Sequence, residues 1–381
     1  MSDQDNSKKR TLTQSGRARR RFLEGTALAA AGTSAAALLP GLRPASATAA
    51  TASTQAVPTT CPSVPVPMKD VEGKVAFITG GDSGIGLGVA RACVDAGMKV
   101  VITYRTKSHL DEAMTYLQSA GNRVHAINVD VTDRPGMEKA AAETVQVFEK
   151  VHLLVNNAGV GVFGGLSTAT YDDWDWGMGI NVNGVFNGVR SFLPRIKAHG
   201  EGGQIVATSS LAGLLGHGPA GVYTASKFAV VGMMEALRNE LADGNIGVSV
   251  FCPGIVNTNI GSSNRNRPST LADVGFKPDP KFMASMAAAM KQMKGPPPGM
   301  DALEAGQRVL HGVRNNDLYI LTTPEFEQEF RARGELIVAS LPQDVNPTEA
   351  RVTLGRMVLG KTVYSTELDR KRCERARTRK A

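Results

Sequence analysis

Between Lys74 and Thr103 the chain alternates in a way that few folds accommodate. An apolar run, Lys74–Thr79 (KVAFIT), meets a glycine-rich turn, a helical pattern follows through Val94, and a second apolar run fills Lys99–Thr103 (KVVIT). Runs this short are strand-like, and parallel strands need a crossover of a dozen residues or more between them. The alternation continues along the chain. Strands are expected at Arg123–Val129, His152–Val155, Gln204–Thr208, Gly247–Phe251 and Leu318–Leu321. Helical patterns lie at Lys107–Ser119, Pro135–Glu149, Tyr171–Ile196, Tyr223–Leu241, Asp301–Val313 and Glu325–Ser340. The expected class is α/β, a doubly wound parallel sheet of about seven strands with helices on both faces.

The turn after the first strand reads Gly80-Gly81-Asp82-Ser83-Gly84-Ile85-Gly86. Strand, glycine turn and helix in that order suit a dinucleotide, since the backbone can approach a pyrophosphate and the helix N-terminus offers free N–H groups. The end of the second strand bears on which nucleotide. An acidic residue there would hold ribose hydroxyls and favour NAD. Tyr104 and Arg105 stand there instead, and Arg105 suits the 2′-phosphate of NADP or is a solvated loop residue. NADP is therefore preferred, with NAD as the alternative. Asn156-Asn157-Ala158-Gly159 closes the fourth strand as a turn device or a ligand contact. Asn181-Val182-Asn183-Gly184 sits awkwardly inside a helical pattern, a conflict common at functional sites.

The chemistry is carried further on. Ser210 ends the fifth strand, Tyr223 follows thirteen residues later, and Lys227 lies one helical turn beyond it on the same face. Free tyrosine, with a pKa of roughly 10, carries protons poorly at neutral pH, and an adjacent ammonium is expected to pull it down. Ser210 can hold a substrate oxygen while Tyr223 gives or takes its proton.

Taken together, TGGDSGIG, Asp130-Val131, NNAG, Asn181, Ser210, the Tyr223-x-x-x-Lys227 pair and PGIVNT resemble the short-chain dehydrogenase/reductase family from about Lys74 to Thr258. The resemblance implies a Rossmann-type fold that lays the nucleotide across the carboxyl ends of the strands. It implies that Tyr223 is the acid/base, that Ser210 holds the carbonyl, and that Lys227 lowers the Tyr223 pKa and binds the nicotinamide ribose. Asn181 would position a water relaying protons from Lys227. Gly80, Asp82, Ser83, Gly84, Ile85 and Gly86 would form the phosphate loop, and Asp130 and Val131 would contact adenine. Asn157, Ala158 and Gly159 would line the cofactor site, with Pro253, Gly254, Val256 and Thr258 closing it at the nicotinamide carboxamide. Relatives commonly pair through the helices of Asn181 and Tyr223, so a homodimer or homotetramer is expected.

The ends of the chain read differently. Residues 1–47 have the form of a twin-arginine export signal: Arg19-Arg20 before Phe22-Leu23, an alanine-rich run from Thr26 to Leu39, and an A-x-A site at Ala45-Ser46-Ala47. Export to the periplasm or outside is expected, with a cytoplasmic place if the signal goes unused. Residues 48–70 read as a flexible linker and 71–342 as the catalytic domain, with a substrate lid over about 259–300 that includes the methionine-rich Phe282–Met293. Residues 343–381 form a basic extension, read as a solvated tail or as a surface for an anionic partner. The formal charge of +8 lies at the ends: eight Lys/Arg against three Asp/Glu in residues 1–50, and ten against three in 351–381. The acidic middle gives no support for nucleic-acid binding. The cysteines Cys61, Cys93, Cys252 and Cys373 show neither metal-ligand spacing nor a dense disulfide framework, and no metal is expected. No run is long enough to embed in a membrane.

The leading reading is an NAD(P)-dependent oxidoreductase that interconverts a moderately apolar secondary alcohol and its ketone. The alternatives are an epimerase or dehydratase that retains its nucleotide, and a non-catalytic nucleotide sensor.

Overall fold

A computed structural model of the chain describes residues 60–216, 218–271, 284–285, 288, 299–360 and 362–378. The expected export signal, the stretch 48–59 and most of Phe282–Met293 lie outside the described residues. Seven strands form one parallel sheet: β1 (Val75–Ile78), β2 (Lys99–Tyr104), β3 (Val124–Asn128), β4 (Leu153–Asn156), β5 (Gly203–Thr208), β6 (Ile246–Cys252) and β7 (Tyr319–Leu321). Their order is β3-β2-β1-β4-β5-β6-β7, so the order reverses between β1 and β4 and opens a crevice at their carboxyl ends.

The apolar runs become strands because both faces of the sheet are covered. Every residue of β1, β4, β5 and β6 is buried. Successive side chains alternate between two cores. Phe77, Leu154 and Ile205 point into one, and Ile78, Leu153 and Val206 into the other. The covering helices include α1 (Gly84–Asp95), α2 (Lys107–Tyr116), α3 (Arg134–Phe148), α4 (Tyr171–Met178), α5 (Gly184–Ala198), α6 (Gly221–Glu240) and α7 (Ala302–Asn315). Thr170 caps α4 in a reciprocal box with Asp173, and Asp301 caps α7 through the N–H groups of Leu303 and Glu304.

The pattern read as one helix from Tyr171 to Ile196 divides into α4 and α5 around a π turn, Gly179–Asn183. There the Gly184 N–H bonds to the Gly179 carbonyl, five residues back. The Asn-Val-Asn-Gly conflict is resolved by this extra residue in the turn.

The C-terminal extension departs from a solvated tail. After α8 (Glu327–Ala339) and α9 (Glu349–Leu359), helix α10 (Val363–Thr378) returns to the body. Its Glu367 pairs with Arg238 of α6, both side chains being almost fully buried, and Arg370 and Lys371 pair with Asp317 just before β7. Tyr319 and Tyr364 both donate to the Glu235 carboxylate. A mixed charge pattern hid this docking, because the contact is made by ion pairs rather than an apolar stripe.

Cys373 of α10 is bonded to Cys61, 312 residues away in sequence. Crosslinks over long loops constrain the unfolded chain most, typically by about 2–4 kcal/mol. Pro65 accepts from the Asn316 side chain and Met68 is fully buried, so the described end of the expected linker belongs to the folded body. Cys93 and Cys252 are buried free thiols.

Candidate active site

The crevice at the β1/β4 reversal widens into a cleft of about 1350 Å³. Single small-molecule sites run roughly 300–1,000 Å³, so a dinucleotide and a second molecule fit together. Among the expected residues, Gly80, Asp82, Ser83, Gly84, Ile85, Arg105, Asp130, Val131, Asn157, Ala158 and Gly159 line it, as do Ser210, Tyr223, Lys227, Pro253, Gly254, Val256 and Thr258. Gly86 and Asn181 do not. They stand behind the lining and hold it in place.

The glycine turn is built for close approach. A Cβ on Gly86 would meet the Gly80 carbonyl oxygen at 2.1 Å, so only glycine lets α1 start so near β1. Gly80 and Gly84 take φ of +60° and +50°. Ser83, the N-cap of α1, makes no side-chain cap bond, which leaves first-turn N–H groups available to an anion at the cleft. Thr79 clamps the turn: its Oγ1 accepts from the Asn157 and Ala158 N–H groups at 2.9 and 3.0 Å. Thr103 accepts from the Gly80 N–H at 2.9 Å. These two threonines were absent from the candidate set, although both end apolar runs where a hydroxyl has little reason to be. The cradle fits the phosphates of a dinucleotide.

At the far end of this half, Arg105 lies 3.5 Å from the Asp130 carboxylate, with its side chain about half exposed. Burial raises the Asp82 carboxyl above its usual range, with His109 3.9 Å away working against this.

The reactive half is assembled by β5 and α6. Ser210 leaves the end of β5 and its Oγ accepts from the Ala212 N–H at 3.2 Å. Lys227 is buried, 3% exposed, and its Nζ donates to the Thr208 carbonyl at 2.9 Å. The same ammonium lies 5.5 Å from the centroid of the Tyr223 ring. Phe163 stacks on that ring at 6.4 Å between centroids, a wall no motif announced.

The expected lowering of the Tyr223 pKa is not what the folded chain produces. Burial pushes the phenol up, and its hydrogen bond with Ser210 pulls it only part of the way back. Burial also holds Lys227 down, to about 8, so the intended partner charge is itself weakened by loss of water. This has a measurable sign. Between pH about 8 and the ordinary 10.5, the unfolded chain keeps a proton on this lysine that the folded chain has released. The lysine's cost to folding is thus complete below pH 8 and relieved as pH rises. Urea titrations should therefore show a Lys227→Met variant gaining on the wild type at neutral pH, with the gap closing towards pH 10.5. A gap that widens with pH contradicts this.

Asn181 is 1% exposed and hydrogen-bonded through both atoms of its amide. Its Oδ1 accepts from the Val160 N–H at 2.8 Å, and its Nδ2 donates to the Val160 carbonyl and the Ser226 hydroxyl, both at 3.0 Å. It ties the extension of β4 to α6 beside Lys227.

Away from the cleft, His152, His199 and Glu201 bring ligand-type atoms within 4.8 Å of one another. Every ring nitrogen there is already used. His152 Nδ1 accepts from the Val75 N–H and Nε2 contacts Glu201, while His199 bonds the Val151 carbonyl and the Glu201 N–H. The cluster is a knot at the amino ends of β1 and β4. Among the described residues no helix is long and apolar enough to cross a membrane.

Sequence comparison matches residues 74–269 to the family described as short chain dehydrogenase. A C alpha-dehydrogenase from Sphingobium sp. is 37% identical over 286 residues, covering 74% of this chain and 92% of that protein. An NADP-dependent (R)-specific alcohol dehydrogenase from Lentilactobacillus kefiri is 36% identical over 192 residues, 49% of this chain and 75% of its own. The crystal structure of a short chain dehydrogenase/reductase from Burkholderia phymatum in complex with NAD superposes with a TM-score of 0.64 at 34% identity, covering 73% of this chain and 99% of that one.

Proposed function

Since the chain belongs to the short-chain dehydrogenase/reductase family and is an enzyme of that oxidoreductase class, we propose that it interconverts a secondary alcohol and a ketone with NADP as its preferred cofactor and Tyr223 as the acid/base. The observation that carries this reading is the convergence of a helix N-terminus on glycine and the Ser210–Tyr223–Lys227 set in one cleft. A bound nicotinamide supplies the hydride acceptor or donor. Tyr223 moves a proton at the substrate oxygen, and the Ser210 hydroxyl donates to that same oxygen. Lys227, fixed by the Thr208 carbonyl, keeps positive charge beside the phenol and would hold the nicotinamide ribose. The role of Asn181 is to position Lys227 and the Val160 segment. A water relaying protons from Lys227 belongs to the same reading.

NADP is favoured by Arg105 and by the absence of a carboxylate at Tyr104, where β2 ends. Arg105→Ala should raise the KM for NADP roughly tenfold, the low end for a charge-assisted bond at a half-exposed site, and leave that for NAD unchanged. Equal effects on both would remove the assignment.

The substrate is apolar in part, because Phe163, Leu211, Leu215, Ile260 and Phe326 flank the reactive end. Pairing through the helices of Asn181 and Tyr223 belongs to this reading and is supported by exposed Tyr171, Trp174 and Phe186 on α4 and α5. Export also belongs to it. The Cys61–Cys373 bond favours an oxidising compartment, as the Arg19-Arg20 sequence does. The test is turnover of secondary alcohols with NADP and NAD, followed by nicotinamide absorbance. Isomerisation or dehydration without net nicotinamide change would select the epimerase or dehydratase, and binding without any turnover the sensor.

A further inference from the structure

Helices α8 and α9 contain 13 and 11 residues, and not one of these is buried. They are not merely polar surface. Leu336, Val338 and Leu341 crowd the end of α8, while Leu354, Met357 and Val358 crowd the end of α9, with Met357 75% and Val358 80% exposed. Large apolar patches left uncovered on soluble proteins mark interaction sites.

Helix energetics sharpen the point. An isolated helix shorter than about 12–15 residues is marginal in water, and most helices in proteins are stabilised by packing an apolar face. Helix α9 has a proper start, Thr348 accepting from the Arg351 N–H, and ordinary interior residues. Among the described residues it buries none of its own side chains. The pair is nevertheless no loose tail. Upstream it grows from β7 and the cleft, where Phe326, Glu329 and Arg333 contribute to the lining. Downstream it is fastened by α10, through the Arg238–Glu367 pair and the Cys61–Cys373 bond. An arm held at both roots is preorganised for a partner, because the ordering cost is met before contact.

We propose that the α8–α9 arm is an interface between copies of this chain, in which the apolar ends of α8 and α9 are covered by a second protomer. Charge selects this occupant. From Glu327 to Leu359 the arm has five acidic and four basic residues, which gives no pull towards an anionic lipid surface or a nucleic acid. A near-neutral surface of mixed charges around aliphatic side chains can match itself across a two-fold axis. Its size also fits, since standard interfaces use roughly 20–30 residues a side. Because α8 starts at the cleft, pairing through the arm would brace the substrate side of the site as well.

The test uses the full mature, oxidised protein. Sedimentation over a range of concentrations compares the wild type with Leu354→Glu/Val358→Glu and, separately, Met357→Lys. These residues face solvent, so helix content and nucleotide binding serve as fold controls. The expected result is a wild-type assembly whose mass falls by half or more in the variants, with amide exchange in α9 at least tenfold faster. Variants that keep the wild-type mass, or a wild type that is monomeric at micromolar concentration, overturn the proposal. A monomer that sediments with phosphatidylcholine vesicles would give the arm to a lipid surface instead, and also overturns it.

Discussion

Replacing Tyr223 by Phe should reduce turnover roughly 100- to 10,000-fold, the range supplied by a positioned proton carrier, while nucleotide affinity stays at the wild-type value. The ring keeps its contacts with Phe163 and the Lys227 ammonium, so the substitution removes one hydroxyl and little else. Ser210 keeps its bond to the Ala212 N–H and can still hold the substrate oxygen. The effect should therefore fall on kcat, with KM for the alcohol changed little, as for an interaction made mainly in the transition state. Residual turnover within tenfold of the wild type would mean that the proton travels by another group. The same variant separates an enzyme from a nucleotide sensor, for which the hydroxyl has no task.

The second large effect concerns stability. Arg238→Met should cost about 3–5 kcal/mol, because Glu367 would remain buried without its partner. The guanidinium does several things at once. It bonds Glu367 through Nε at 3.0 Å, the Asn316 carbonyl through Nη2 at 3.1 Å, and the Asn316 side chain. Calorimetry should register a fall in Tm on the order of 10 °C for a domain of this size. The double variant Arg238→Met/Glu367→Leu should recover most of the loss, since an apolar pair of similar volume often equals or exceeds a buried ion pair. If the single variant melts with the wild type, α10 is not held by this pair.

How far the sequence anticipated the molecule depends on which force sets each element. The seven strands were legible to within a residue or two because most are short, largely apolar runs, and a run buried on both faces, as in β1 and β4, leaves little choice of structure. The glycine turn was legible because a Cβ at Gly86 is sterically impossible there. The π turn at Gly179–Asn183 showed as a propensity conflict, though its geometry did not. The contacts of α10 were hidden for a different reason. Arg238, Asp317 and Glu367 look like surface charges in a linear sequence, and only the fold brings them together. Cys61 and Cys373 carry no local signature at 312 residues' separation. The Tyr223 shift runs against the sequence expectation because proximity to Lys227 is legible in the spacing, whereas the desolvation of both groups is set only by the fold.

The bond between Cys61 and Cys373 gives the polypeptide the topology of a ring. A protease that nicks the exposed segment between α8 and α9 opens this ring without releasing either piece. The fragments stay covalently joined until a reductant is added, and α10 stays at its dock. An exposed segment of the chain is thus one whose cleavage the molecule is placed to survive.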